Sequence, residues 1–156
     1  MTILGIDPGI ATMGFAILET EKMTVKKIRW GCITTESALP TAERLFYLRT
    51  ELRTLIESAH PDRAAVEKLY FYNNAKTAMV VGEARGVILA TLHEAGLPIF
   101  EYTPLEVKRA VTGSGNADKK QVQKMLTMVF KLERPPQPDD AADALAIAYC
   151  SMAGCL

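Results

Sequence analysis

Three features of the sequence predict an α/β fold. Apolar or alternating segments follow one another without a helix as far as Ile33, the hydrophobic period changes at Thr41 to that of a helix, and short apolar strands then alternate with helices. Thr2 to Asp7 reads as a short buried strand, because Ile3, Leu4 and Ile6 make an apolar run that stops at the breaker pair Pro8-Gly9. Met13 to Leu18 and Val25 to Ile33 follow as antiparallel strands, separated by the polar stretch Glu19 to Thr24. Leu45, Leu48, Leu52, Leu55 and Ala59 recur at spacings of three and four, which marks an amphipathic helix ended by His60-Pro61. Ala64, Ala65 and Val66 form a compact strand that finishes on Glu67, followed by the aromatic group Tyr70, Phe71 and Tyr72.

A long helix is expected over 75–95, with Met79, Val80, Val81, Val87, Ile88, Leu89 and Leu92 pointing to most sides of it. A helix apolar on most sides is buried on most sides, so a second copy of the chain is expected to cover its outer face. Gly82, Gly86 and Ala90 form a small-residue seam, and each helical glycine costs about 1 kcal/mol relative to alanine, which close helix packing would offset. Leu97 to Tyr102 reads as a further strand, and Pro104 opens a short helix carrying Lys108 and Arg109. After the break Gly113-Ser114-Gly115-Asn116 a helix starts at about Ala117, with Val122, Met125, Leu126 and Val129 on one face and Lys119, Lys120, Lys124 and Lys131 off it. The last helix begins near Asp139 and buries Ala141, Leu145, Ala148 and Met152.

The 156 residues fit one domain, 1–156, long enough to bury a real core. Hydrophobic residues at 49% and charged residues at 23% exclude a disordered chain. Eighteen basic residues balance eighteen acidic ones, so any DNA-binding surface has to come from local clustering. Cys32, Cys150 and Cys155 are odd in number and lack CxxC spacing, which argues against a disulfide framework or zinc knuckle and suits a reducing cytoplasm. No apolar run approaches the roughly 18 residues of a spanning helix, and the first residues are unlike a signal peptide, so neither a membrane nor export is expected.

Asp140 and Asp143, at i and i+3, share a helix face off the apolar stripe. Like charges so placed destabilise a helix by roughly 0.2 to 0.5 kcal/mol, partly offset at its N-terminus. Taken alone, Asp139 or Asp140 serves equally well as a helix cap. Asp7 and Glu67, each ending an apolar strand, shift the balance, because strand interiors disfavour ionised groups and both are expected where the sheet meets solvent or a metal. Four convergent carboxylates repel one another unless cations neutralise them, and hard oxygen ligands with no His or Cys nearby select Mg²⁺, with Mn²⁺ able to substitute. Two such ions in one site suit phosphodiester hydrolysis, activating water and stabilising the leaving 3′ oxygen. Lys108 and Lys119 flank the glycine-rich break and are candidates to bind phosphates, the alternative being ordinary solvated lysines; Lys120 adds a candidate DNA contact. Tyr70 and Phe71 are placed to stack on an unpaired base, with core packing an equal alternative for Phe71. His60 and His93 have no ligand-spaced partners.

Gly5-Ile6-Asp7-Pro8-Gly9 with Gly14, Ala65-Val66-Glu67, Gly82-Glu83-Ala84-Arg85-Gly86 and Asp140-Ala141-Ala142-Asp143-Ala144-Leu145-Ala146 resemble, in this order and over nearly the whole chain, the RuvC family of Holliday-junction resolvases. The resemblance implies an RNase H-like fold, a five-stranded mixed sheet of three antiparallel and two parallel strands flanked by helices. It implies a homodimer with two active sites, joined here through the 75–95 helix. By the same resemblance Asp7, Glu67, Asp140 and Asp143 are the metal-binding catalytic carboxylates, Lys108 and Lys119 the active-site lysines, and Tyr70 an aromatic contact to the junction. The implied activity is paired, symmetric nicking of four-way junction DNA that leaves 5′-phosphate and 3′-hydroxyl ends. The RuvA junction-binding protein and RuvB motor are the implied partners. The chain departs from the family pattern in its balanced charge and in stopping at Leu156 without a basic extension. Asp139 beside Asp140 leaves two carboxylates for one role, and only Asp140 has the motif's spacing to Asp143.

Three other readings compete. A sugar-kinase or actin-like ATPase domain shares the Asp-x-Gly turn but needs a second phosphate loop and a second domain. A non-catalytic junction-binding dimer would use the carboxylates only as caps and loop ligands. The same nuclease acting on forks, flaps or RNA hybrids would keep the fold and change the substrate.

Overall fold

The computed structural model describes residues 1–68 and 75–154, with the side chains of 75–77 left aside. Five strands, β1 (Thr2–Asp7), β2 (Thr12–Glu21), β3 (Thr24–Thr34), β4 (Arg63–Glu67) and β5 (Ile99–Tyr102), form one sheet in the order β3-β2-β1-β4-β5. β1 pairs antiparallel with β2, and β2 with β3, whereas β4 lies parallel to β1 and β5 parallel to β4. This is the mixed arrangement expected of an RNase H-like sheet, with β1 at its centre. The β2–β3 strands run further than their apolar segments suggest. They close on a two-residue turn at Lys22 and Met23, whose φ values of 46° and 67° give the primed geometry that matches strand twist. The polar stretch from Glu19 is therefore ladder, not loop.

Side-chain alternation along β1 divides the core in two. Leu4 and Ile6, with Ile17, Ala64 and Val66, face α1 (Thr41–Ala59) and α2 (Ala75–Glu94). Ile3, with Ala16, Leu18 and Ala65, faces α3 (Pro104–Thr112), α4 (Lys119–Val129) and α5 (Asp139–Met152). Ile3, Leu4 and Ile6 are fully buried, and each such side chain contributes about 1.5–3 kcal/mol. α1 buries Leu48, Leu52 and Ile56, with Leu45, Leu55 and Ala59 packed at the margin, and His60 ends it in the left-handed conformation with its N–H on the Ile56 carbonyl.

One helix start is corrected, and two helix faces are refined. α4 starts at Lys119, because Asp118 caps it by accepting from the Gln121 N–H while the Gln121 side chain accepts from the Asp118 N–H. Ala117 is buried in the turn before it, and Val129 at the far end is exposed. In α2, Ala84, Ile88 and Leu92 are the fully buried face, while Gly82, Gly86 and Ala90 are exposed. A Cβ on either glycine would meet open space, so the seam packs against none of the described residues. α5 is buried on nearly every side, with Ala142, Ala144, Ala146, Ile147, Cys150 and Ser151 joining the four-residue stripe. A helix this rich in alanine can lie close to a sheet and to neighbouring helices at once.

Candidate active site

The same alternation aims the strand-end acids. Ile3 and Ala65 face the α5 side, so Asp7 and Glu67, an even number of residues further on, point that way too. The parallel register that pairs Ile6 with Val66 sets the two acids side by side at the carboxyl ends of adjacent central strands. They lie at the end of the sheet, near its middle, where the strands hand over to loops.

Two glycines bring α5 to them. Gly14 is the cross-strand partner of Asp7, and a Cβ at Gly14 would overlap the main-chain oxygen of Asp140. A Cβ at Gly5 would likewise overlap the Ala144 carbonyl and come within 2.7 Å of the Ala148 side chain. The helix thus rests directly on the β1–β2 backbone, with its first turn beside Asp7. Trp30 of β3 donates from Nε1 to the Gln137 carbonyl at 3.1 Å, anchoring the entry to the helix. Pro138 occupies the cap position of α5 and no side chain caps it, so neither Asp139 nor Asp140 is spent on capping.

Asp7, Glu67 and Asp143 feel the charges around them. Burial, then Glu67, Asp143 and Asp140, push the Asp7 carboxyl from 3.8 up to about 8, against the pull of Lys119. Burial and Asp143 push Glu67 from 4.5 to about 7, against Lys108. Burial also holds Asp143 above its ordinary range, opposed by Lys119 and helped by Asp140 and Asp139. Asp7 thus lies in the field of Glu67, Asp143 and Asp140, and a cation beside it would favour its ionised form. Among the described residues no three Asp, Glu, His or Cys side chains are gathered closely enough to chelate an ion as they stand. In donor chemistry, carboxylate oxygens of this kind match a hard divalent cation.

The expectation that no cysteine lies nearby is corrected. Cys32 pairs with Gly14 across β2–β3 and lies at the N-terminus of α5. Burial and the charges of Asp140 and Asp7 raise its thiol against the Ala141 N–H, keeping it protonated and a poor metal ligand. Only strand register, invisible to spacing in the chain, shows this neighbour.

Of the basic residues, Lys119 opens α4 and reaches α5, its Nζ 3.1 Å from Asp143 Oδ2 and 3.3 Å from Asp139 Oδ2. Partial burial lowers its ammonium, but the hydrogen bonds and charges of Asp143 and Asp139 outweigh this and leave it above its ordinary value. Lys108 on α3 exerts its pull on Glu67, while Lys120 is exposed beside Lys119. Tyr70 and Phe71 lie outside the described residues. A groove of about 530 Å³ runs alongside Asp140, lined by Gly9, Ile10, Ala11, Thr12, Val80 and Val81. A larger cavity, about 590 Å³, includes His60 and Leu97, at the opposite end of the sheet from the acids.

Comparison with known proteins agrees with this architecture. Residues 3–151 match the family model described as crossover junction endodeoxyribonuclease RuvC. The chain is 50% identical to the RuvC crossover junction endodeoxyribonuclease of Roseiflexus sp. over 94% of its own length and 88% of that protein's. Against the Petrotoga mobilis counterpart it is 51% identical, over 96% of this chain and 92% of that one. The structure of Thermus thermophilus RuvC superposes with a TM-score of 0.86 at 34% identity, covering 96% of this chain and 92% of that one. That of T. thermophilus RuvC in complex with Holliday junction substrate superposes with a TM-score of 0.89 at 32% identity and the same coverage. With its sheet order, its acidic strand ends and these relatives in agreement, the chain belongs to the RuvC family of crossover junction endodeoxyribonucleases.

Proposed function

We propose that this chain resolves four-way DNA junctions by metal-assisted hydrolysis at the acidic end of its sheet, leaving 5′-phosphate and 3′-hydroxyl ends. The observation that supports this reading is the parallel register that ends β1 and β4 side by side on Asp7 and Glu67, with the start of α5, which carries Asp140 and Asp143, seated against Gly14 beside them. These four would hold Mg²⁺, or Mn²⁺ in its place, most simply as a pair of ions. Bound there, such ions would supply an activated water and charge stabilisation for the leaving oxygen. Asp7 and Glu67 orient the donors from the rigid strand ends, and Asp140 and Asp143 close the site from the helix. Lys119 and Lys108, attracted to the same acids, lie where a scissile or flanking phosphate would approach and neutralise its charge. Lys120 continues the basic edge along the DNA, and Tyr70, two positions beyond the described strand end region, is proposed as a stacking contact to the junction.

Paired nicks require two such centres, which we assign to a homodimer formed through α2. Its exposed Gly82–Gly86 seam and Met79, 69% exposed, support that surface. We read residues 1–156 as one nuclease domain, acting in the cytoplasm; among the described residues no helix is long and apolar enough to cross a membrane. Assembly with RuvA and RuvB is proposed from family membership.

The test is a labelled four-way junction incubated with the protein in Mg²⁺, Mn²⁺ or chelator, with forks, flaps and RNA hybrids beside it. Symmetric nicks on the four-way junction, lost with Asp7→Asn and with chelator, support the reading. Binding without cleavage in either metal would make the protein a non-catalytic junction binder, and preferential cutting of another branched substrate would replace the assignment.

A further inference from the structure

Lys119 does not stand alone at the acidic end of the sheet. Lys119 and Gln123 lie one turn apart on α4, and Asp139 and Asp143 one turn apart on α5, so the two pairs face each other as a ladder. Gln123 Nε2 donates to Asp139 Oδ1 at 3.1 Å, Asp139 Oδ2 pairs with Lys119 Nζ at 3.3 Å, and Lys119 Nζ donates to Asp143 Oδ2 at 3.1 Å. Each oxygen of Asp139 therefore has its own partner on α4.

Stability does not account for this arrangement. The Lys119 and Asp139 side chains are 48% and 57% exposed, and a surface pair of this kind adds little to folding. Capping does not account for it either, since α5 has no side-chain cap. A carboxylate at the margin of a surface that must accept DNA phosphates also works against binding. What Asp139 does have is one lysine, which it shares with Asp143.

On the reading above that Lys119 serves the reaction, we infer that Asp139 is a positioning residue: steadied by Gln123, it fixes the Lys119 ammonium at the active site. Asp143 alone cannot do this once its oxygens turn to other work, whereas Asp139 points at α4 and keeps its hold. The roles of the two neighbouring acids are thereby separated: Asp140 acts by its charge on Asp7, and Asp139 holds the lysine.

The test is a double-mutant cycle on the full-length protein, using single-turnover cleavage of a four-way junction in Mg²⁺. Asp139→Asn keeps the shape and the Gln123 bond but loses the charge, and it slows cleavage by about 3- to 5-fold, the upper end for one exposed ion pair. In a Lys119→Ala background the same change has less than about a twofold effect, because its target is gone. Asp139→Glu restores most of the rate, and Gln123→Ala gives a smaller loss that also vanishes without Lys119. A second readout needs no metal: in chelator, an amine-reactive reagent followed by mass spectrometry finds Lys119 several-fold more reactive in Asp139→Asn, with Lys120 unchanged. Equal losses from Asp139→Asn with and without Lys119, or unaltered Lys119 reactivity, overturn the inference while leaving the nuclease assignment intact. A Lys119→Ala protein that cuts at the normal rate overturns the role of Lys119 and this inference with it.

Discussion

Replacing Asp7 with Asn should make the metal-free protein more stable while abolishing cleavage. Burial and three neighbouring acids hold the Asp7 carboxyl at about 8 in the fold, against an ordinary 3.8. Because the folded value is the higher one, the fold binds the proton more tightly than the unfolded chain does. No penalty exists below pH ~4; it grows as pH rises toward ~8, where the fold must surrender that proton, and is constant beyond. With each pH unit equivalent to ~1.4 kcal/mol, the ceiling at pH 8 is ~5 kcal/mol. Water reaching the partly exposed carboxyl reduces this to a working figure of ~2 kcal/mol. For a chain of this size that raises Tm by about 4–8 °C. Thermal melts of wild type and Asp7→Asn in chelator, at pH 5 and pH 8, measure it directly, and the gap should widen at the higher pH. Added Mg²⁺ should then raise the wild-type Tm and leave the variant nearly unmoved. An Asn variant that is no more stable than wild type at pH 8, or a gap independent of pH, would refute the electrostatic account of the site.

Three further outcomes are expected. Divalent-metal affinity should rise between pH ~6 and ~8.5 with release of protons, since Asp7 at about 8 and Glu67 at about 7 must lose theirs to bind; calorimetry in buffers of different ionisation heat counts them, and a pH-independent affinity contradicts the shared field. Gly14→Ala should destabilise by about 1–3 kcal/mol or more in urea unfolding, because its methyl meets the Asp140 carbonyl, and should slow cleavage beyond what the stability loss explains. Gly86→Glu on the exposed α2 seam should yield a monomer by analytical ultracentrifugation with an unchanged fold; a dimer of wild-type affinity would place the interface elsewhere.

Much of this was readable from residue order. The apolar runs broken by Pro8-Gly9 and ending at Glu67 located β1 and β4, and the Asp140–Asp143 spacing located the face of α5, because strand and helix periods are local properties of the chain. What pairing creates was not readable. Cys32 joins the acidic end only through its register with Gly14, and Asp139 finds Lys119 only because α4 and α5 pack side by side. The turn at Lys22-Met23 escaped for another reason. Neither residue is a usual left-handed former, so the hairpin geometry came from the flanking ladder and not from turn chemistry. The nearly complete burial of α5 is also hard to read from residue order, since alanines mark an apolar stripe only weakly yet suit a helix seated on a sheet.

The seating of α5 on Gly5 and Gly14 has a bearing on how the enzyme can adapt to different substrates. Main chain lies against main chain there, so the spacing between Asp7 and the helix acids is pinned by backbone packing. Adjustment to a differently shaped junction must then fall to exposed side chains at the margin, such as Lys120. A scaffold of this sort would keep its chemistry constant while its DNA-facing margins diverge.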